Sequence, residues 1–167
     1  MIDSKADLNA TDDDGMTALH FASAYDQLQP AKTLIEAKAK VDVCNRDGAS
    51  PFMVAVQYGS ISCLELLLDA KASVEAQAGS TLNDDSPLII AARVDSIECA
   101  RLLIKHKADP NYRGSKAKGT ALIVACENNS GLVCSSLLDA KADPNDDTDD
   151  HGDSAVSVAA RMEAVEC

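Results

Sequence analysis

Cysteines offer the strongest hint of chemistry in this 167-residue chain. Cys63, Cys99 and Cys167 share one position of a repeated unit, and Cys134 lies one residue further along. Such a column could form a metal or redox ladder. Equivalent atoms of stacked helices are, however, ~8–10 Å apart, whereas a disulfide needs Cα atoms within ~7 Å and zinc needs each sulfur at ~2.3 Å. Since the chain has no Cys-x-x-Cys pair, we expect its cysteines to pack as small hydrophobic residues.

Histidines and carboxylates suggest no better site. His20, His106 and His151 have no Cys, Ser or carboxylate partner at a meaningful spacing. We expect His20 to bond its own turn and the other two to be solvated. The acidic stretch 143–153 half-resembles the start of an EF-hand loop, but its twelfth position would be Val158, where a bidentate Glu is needed. The sequence therefore predicts no enzyme, no catalytic residue, no cofactor and no metal site.

The charge balance limits the class of partner. The net charge is −12, which argues against nucleic acid or an anionic membrane as the main partner, because both need clustered Lys and Arg. No apolar run approaches the ~18–20 residues of a membrane span, and the N-terminus resembles no signal or transit peptide. Six cysteines without a paired framework favour a reducing compartment. We therefore expect a cytoplasmic protein with a protein partner and no membrane insertion.

Two phrases repeat along the chain, and they define the elements that would position any site. Lys-Ala pairs recur with spacings of 33 to 36 residues, at Lys5, Lys38, Lys71, Lys107 and Lys141. A phrase that opens with Ser or Thr and carries Ala five residues later starts at Thr17, Ser50, Ser86, Thr120 and Ser154. Ser and Thr are good helix N-caps. The pattern predicts a short helix A, a polar break, and an amphipathic helix B that ends at Lys-Ala. From cap to Lys the distance is always 21 residues, so only the connector varies in length.

The segment Asp12–Ala22 has the pattern Asp-x-x-Gly-x-Thr-x-Leu-His-x-Ala, which resembles the ankyrin repeat. The resemblance implies an all-α, ankyrin-repeat α-solenoid of helix-turn-helix repeats joined by β-hairpin loops. It places a remnant at 1–10, repeats at 11–43, 44–76, 77–112 and 113–146, and a partial repeat at 147–167. Both ends are cut within a unit, so we expect them to be uncapped.

Some positions depart from the family pattern. Asp84 and Lys118 replace the turn glycine, which predicts two irregular hairpins. Lys stands after every helix B, where the family has Gly in a left-handed conformation. The strain there is ~1 kcal/mol, and a cation at the helix C-terminus returns ~0.3–1 kcal/mol. The Lys column could also be a docking strip for an acidic partner, although a repeated helix-end cation explains it more simply.

The resemblance further implies a non-catalytic protein-protein interaction module or scaffold that binds through its concave face and hairpin tips. An accessory subunit of a large complex, or an interaction domain cut from a longer enzyme or channel, remains open. Position by position, the implied contacts are Asp13, Asp14, Met16, Tyr25, Arg46, Asp47, Gln57, Tyr58, Leu82, Asn83, Asp85, Arg93, Val94, Lys116, Glu127, Asn128, Asp150, His151, Arg161 and Met162.

Two further expectations concern individual repeats. Tyr25 and Tyr58 occupy one column, and Tyr is enriched at interface hot spots, although each could instead cover the core of its own repeat. Helix B of the fourth repeat contains Gly131, Ser135 and Ser136 in place of stronger helix formers. We expect local opening to begin there or at the ends of the chain.

Overall fold

Short helices dominate the computed structural model, which describes residues 7–74, 85–113, 119–145 and 152–163. In these ranges the chain forms nine α-helices and no strand, with one isolated antiparallel bridge between Thr11 and Thr17. The predicted all-α fold is confirmed. In chain order the helices are α1 (Ala18–Ala24), α2 (Leu28–Glu36), α3 (Pro51–Tyr58), α4 (Ile61–Asp69), α5 (Pro87–Arg93), α6 (Ile97–Lys105), α7 (Ala121–Glu127), α8 (Gly131–Asp139) and α9 (Ala155–Arg161).

The helices fall into two compact units, Met1–Ser73 and Val74–Cys167. In the first unit α1 packs against α2 and α3, and α4 packs against α2 and α3. In the second, α7 packs against α5, α8 and α9, while α6 packs against α5 and α8. Mostly aliphatic side chains fill both cores, as the scarcity of aromatic residues requires. The largest fully buried side chains include Phe52, Leu19, Leu64, Leu67, Leu88, Ile89, Leu103, Leu122, Ile123 and Leu137.

Each helix A begins at the predicted cap. Thr17, Ser50, Ser86 and Ser154 accept a hydrogen bond from the backbone N–H three residues later, which satisfies one of the orphan donors of the first turn. Thr120 is the exception: its side chain makes no such bond. The capping prediction is therefore confirmed at four positions and wrong at Thr120.

Each described helix B ends at the Lys-Ala phrase in the same way. In α4 the N–H of Lys71 donates to the Leu68 carbonyl and the N–H of Ala72 to the Leu67 carbonyl, both at 2.9 Å. This is the Schellman arrangement, in which a left-handed residue lets the chain satisfy the last carbonyl groups of a helix. The predicted left-handed conformation is confirmed, with φ values of 62° to 72° at Lys38, Lys71, Lys107 and Lys141.

The connectors at residues 12–16 and 45–49 are tight hairpins. The N–H of Asp12 donates to the Met16 carbonyl (3.1 Å), and the N–H of Arg46 to the Asp14 carbonyl of the neighbouring hairpin (2.9 Å). Gly15 has φ +78°, and a Cβ there would lie 2.9 Å from the Arg46 nitrogen, so the turn glycine permits both the conformation and the close approach. The irregular hairpins expected around Asp84 and Lys118 lie outside the described residues.

A polar side chain also joins successive connectors. Asn9 accepts a hydrogen bond from the N–H of Lys40 (2.8 Å), and Asn111 accepts one from the N–H of Asp143 (2.7 Å). The Asp42 side chain accepts a hydrogen bond from the N–H of Ser73 (3.1 Å). Each of these acceptors lies four residues after a Lys of the Lys-Ala phrase. The Lys-Ala phrase and the polar residue that follows it therefore connect successive repeats.

Candidate protein-binding surface

Two tyrosines stand at the ends of neighbouring A helices in the first unit. Tyr25 follows the last residue of α1 and is 71% exposed, and Tyr58 ends α3 and is 65% exposed. The Ser60 hydroxyl donates to the Ala24 carbonyl oxygen at 3.4 Å. Because Ala24 precedes Tyr25 and Ser60 lies two residues after Tyr58, this bond brings the ends of the two A helices together.

The hairpin tips of the first unit present mostly charged side chains. Asp13, Asp14, Arg46 and Asp47 are exposed, and Met16 is half-buried. The sulfur of Met16 accepts a hydrogen bond from the Asn45 side-chain amide at 3.3 Å. Together with the backbone bond between the two hairpins, this contact fixes the tips relative to each other. Gln57, in the last turn of α3, is exposed as well.

In the second unit the predicted helix-end positions are also on the surface. The exposed members are Arg93, Val94, Glu127, Asn128, Arg161 and Met162. Asn128 has a structural contact in addition: its side-chain amide donates to the Ala92 and Arg93 carbonyl oxygens, each at 3.2 Å. It thereby satisfies terminal carbonyl groups of α5, which lack a partner within their own helix.

Asp85 differs from the expectation for a contact residue at a tip. Its side chain is buried, with 2% exposure for the residue, and it forms an ion pair with Arg93. Asp153 and Arg161, eight residues apart like the first pair, form an equivalent bridge at 3.2 Å. In both pairs an Arg in the last turn of helix A binds the carboxylate of the residue before the N-cap. In the first pair this carboxylate, Asp85, is buried. A direct contact of Asp85 with a partner was therefore the wrong expectation.

Five predicted contacts cannot be placed. Leu82, Asn83, Lys116, Asp150 and His151 lie outside the described residues. Most of the acidic stretch that half-resembles a calcium loop lies outside them too, while Val158 is a buried core residue of α9.

His20 has a structural role. Its Nδ1 accepts a hydrogen bond from the Thr17 N–H (3.0 Å), and its Nε2 lies 3.0 Å from the Ala49 carbonyl oxygen. An accepting Nδ1 requires the proton on Nε2, which then donates to Ala49. The ring is completely buried, and burial lowers its pKa, although the bond to Ala49 and the charge of Asp12 act in the opposite direction. His20 bonds its turn, as expected, and His106 is exposed.

The thiols of Cys44, Cys63 and Cys99 are poor nucleophiles. Cys63 is buried and its S–H donates to the Ala22 carbonyl oxygen at 3.4 Å. Burial, with a smaller effect of the Asp26 charge, raises its pKa to about 11. Burial also raises the pKa of Cys44 and of Cys99. Since only the thiolate attacks or ligates efficiently, these residues serve packing, as expected.

Cys134 is buried, and its sulfur lies 3.9 Å from that of Cys126. Cys44, Cys63, Cys99 and Cys126 are not disulfide-bonded. Cys167 lies outside the described residues, and the cellular compartment stays a prediction.

The first unit also contains an apolar groove of about 700 Å³ between α1 and α2, which was not predicted from the sequence. Phe21 lines it and is 43% exposed. A signal was present in the sequence: Phe21 occupies the same column as Val54, Val124 and Val158, all of which are buried.

The described residues contain no group of three or more His, Cys, Asp or Glu side chains placed to hold a metal ion. None of their helices has the length and hydropathy needed to cross a membrane.

Comparison with known proteins gives one match. A family model described as "Ankyrin repeats (3 copies)" matches residues 1–78, 39–114 and 71–148, and so covers most of the chain. No curated protein matches the chain.

Proposed function

Because the chain belongs to the ankyrin repeat family, we propose that it is a non-catalytic protein-binding module. Ankyrin repeats generally mediate contacts between proteins. The exposure of Tyr25 and Tyr58, at the same position of neighbouring repeats, carries the proposal. Large exposed aromatic side chains that recur in one column do not contribute to the core. At an interface, Tyr offers a large contact area at a low entropy cost together with a polar tip.

The proposed surface extends from the tyrosines to the hairpin tips. Its described members in the first unit are Asp13, Asp14, Met16, Arg46, Asp47 and Gln57. In the second unit, taken by itself, the proposed contacts are Arg93, Val94, Glu127, Asn128, Arg161 and Met162. Three carboxylates and one guanidinium at the tips of the first unit favour a partner with basic groups around an apolar centre, because opposite charges steer association and set the register of binding.

The exposed tyrosines can be tested by a double substitution. Tyr25→Ala with Tyr58→Ala removes both aromatic side chains from positions that are solvated in the free protein, so the fold should survive. Affinity purification with quantitative mass spectrometry identifies the partner, and calorimetry then measures its binding. We expect the double variant to bind at least ~30-fold more weakly, which corresponds to ~2 kcal/mol.

Leu132→Ala is a matched control, because Leu132 is 66% exposed in α8 but lies outside the proposed surface. This variant should bind like the wild type. Unchanged affinity of the double variant would contradict the proposal. Loss of its circular dichroism signal would instead show that the tyrosines support the fold.

A further inference from the structure

A group of basic side chains lies along α6 in an acidic chain. Arg101, Lys105, His106 and Lys107 are all exposed, although the net charge of the whole chain is −12. Among the described residues, none of these four side chains takes part in an ion pair or a side-chain hydrogen bond. We call these four residues the basic patch. No direct contact with a described carboxylate neutralises it.

The other described B helices carry no such pair of cations. Arg101 and Lys105 lie six and two residues before the Lys of the Lys-Ala phrase. The same two positions hold Lys32 and Glu36 in α2, Glu65 and Asp69 in α4, and Ser135 and Asp139 in α8. Like charges four residues apart destabilise a helix. The helix dipole favours Lys105 in the last turn, but Arg101 lies before that turn. Helix stability therefore does not account for Arg101.

An exposed leucine lies on the helix that packs against α6. Leu132 of α8 is 66% exposed, and α6 and α8 are in contact. Leu132, Ser135 and Asp139 are spaced by three and four residues and are all exposed, as are Arg101 and Lys105 at the corresponding positions of α6. Residues at this spacing share one face of a helix. The solvent-facing sides of two packed helices therefore combine the basic patch with one large apolar side chain.

We propose that this face of α6 and α8 docks an acidic segment of a partner protein that also carries an apolar side chain. The basic patch binds its carboxylates, and Leu132 covers its apolar side chain. Charges on a protein surface are screened beyond ~8 Å at physiological ionic strength, so a short segment meets mainly the basic patch. An extended anionic surface, such as a membrane or a nucleic acid, also meets the carboxylates that give the chain its net charge of −12.

This site goes beyond the proposed function, because it uses the B helices. The contacts proposed above, Tyr25 and Tyr58 among them, lie at the ends of the A helices and in the hairpin tips. Each surface can therefore be changed without the other. Tyr25→Ala with Tyr58→Ala should leave binding of an acidic segment unchanged, and Arg101→Gln with Lys105→Gln should leave binding at the tyrosine surface unchanged.

The probe is a fluorescently labelled synthetic peptide of Glu residues around a central Leu. The same peptide with Gln in place of every Glu is the control. Fluorescence anisotropy at low and at physiological ionic strength measures the affinity of each peptide for the intact chain. We expect the Glu peptide to bind more weakly as salt is added, because its charges are then screened, and we expect no binding of the Gln peptide.

Neutral substitutions in the basic patch should weaken this binding. Arg101→Gln with Lys105→Gln should lower the affinity for the Glu peptide at least ~10-fold. Leu132→Ala should lower it at least ~3-fold, and it serves as the second test if the double variant loses its circular dichroism signal. Lys32→Gln with Lys40→Gln is the matched control, because it makes the same change in net charge at two exposed lysines of the first unit. This control should bind like the wild type.

Four outcomes overturn the proposal. They are absence of binding, equal binding of the Glu and Gln peptides, equal weakening by the two double Gln variants, and binding to phosphatidylserine vesicles that Arg101→Gln with Lys105→Gln abolishes. The last outcome would make an anionic membrane the partner of the basic patch.

Discussion

The carboxylate of Asp26 caps a helix of the next repeat. Its two oxygens accept hydrogen bonds from the backbone N–H of Cys63 and from the Ser62 hydroxyl, both at 2.9 Å. The residue before α4, Ser60, makes no capping bond with its own side chain. Asp26 has a φ of 49° just after α1. This left-handed turn aims the carboxylate at the first turn of α4, so that one repeat completes the helix of its neighbour.

Replacing Asp26 by Asn should destabilise the protein. Asn tolerates the left-handed conformation, so the change removes the charge and leaves the turn intact. Loss of a charged N-cap acceptor is expected to cost about 1 kcal/mol of the free energy of unfolding, measured by urea denaturation at pH 7.

The same variant has a defined pH dependence. Burial alone would raise the pKa of Asp26, but the hydrogen bonds from Cys63 and Ser62 lower it below 3.8. Its stabilising effect is therefore complete above pH 3.8 and lost as the pH falls through the lowered folded value. The difference between wild type and Asp26→Asn should shrink in acid. A difference that is constant from pH 7 to pH 2 would contradict this assignment.

His20→Ala should lower the free energy of unfolding by ~1–3 kcal/mol, because it leaves the buried Thr17 N–H without its partner. It also removes one of the two hydrogen bonds to the Ala49 carbonyl, which keeps the bond from the Asn45 N–H. Since the pKa of buried His20 is below 6.5, the unfolded chain takes up a proton first. Wild-type stability should therefore fall as the pH drops below 6.5 towards the folded pKa.

Urea denaturation between pH 7.5 and pH 5.5 measures this effect. The His20→Ala variant should show a flatter profile in that window than the wild type does. Parallel profiles would mean that His20 does not titrate between the two states.

A lysine of the Lys column and a lysine inside a helix should change stability in opposite directions when Gly rather than Ala replaces them. Lys71 is left-handed, with φ 62°, so Lys71→Gly should be more stable than Lys71→Ala by ~1 kcal/mol. Lys32 is an exposed residue inside α2, where Gly should be less stable than Ala by ~1 kcal/mol. Chemical denaturation of the four variants compares the two sites. The same ranking at both would refute the conformational argument.

Hydrogen exchange should be faster in α7 and α8 than in α3 and α4. Among the described residues, the hydroxyls of Thr120 and Ser130 are buried without a hydrogen-bond partner, and α8 contains Gly131 and two serines. Mass spectrometry of backbone amides measures the rates. Ser135→Ala, at an exposed position, raises helix propensity by ~0.5 kcal/mol and should slow exchange in α8. Equal protection of both helix pairs in the wild type would contradict the prediction.

The sequence alone determined the repeating architecture. Cap residues, apolar spacing and the Lys-Ala phrase act locally, within one or two helical turns, so they can be read from neighbouring positions. The helix pairs, most of the caps and the left-handed lysines were predicted in this way. The family resemblance pointed to exposed helix-end positions such as Tyr25 and Tyr58, whose part in binding stays a prediction.

Only the tertiary structure decided which side chains are exposed to a partner and which are buried or paired. Asp85 is buried because Arg93 reaches it along α5, and Phe21 is exposed because no described helix covers its side of α1. Asp26 caps α4 across a sequence distance of 37 residues. Burial and pairing depend on which distant residues fill the space around a side chain. Local sequence patterns do not contain that information.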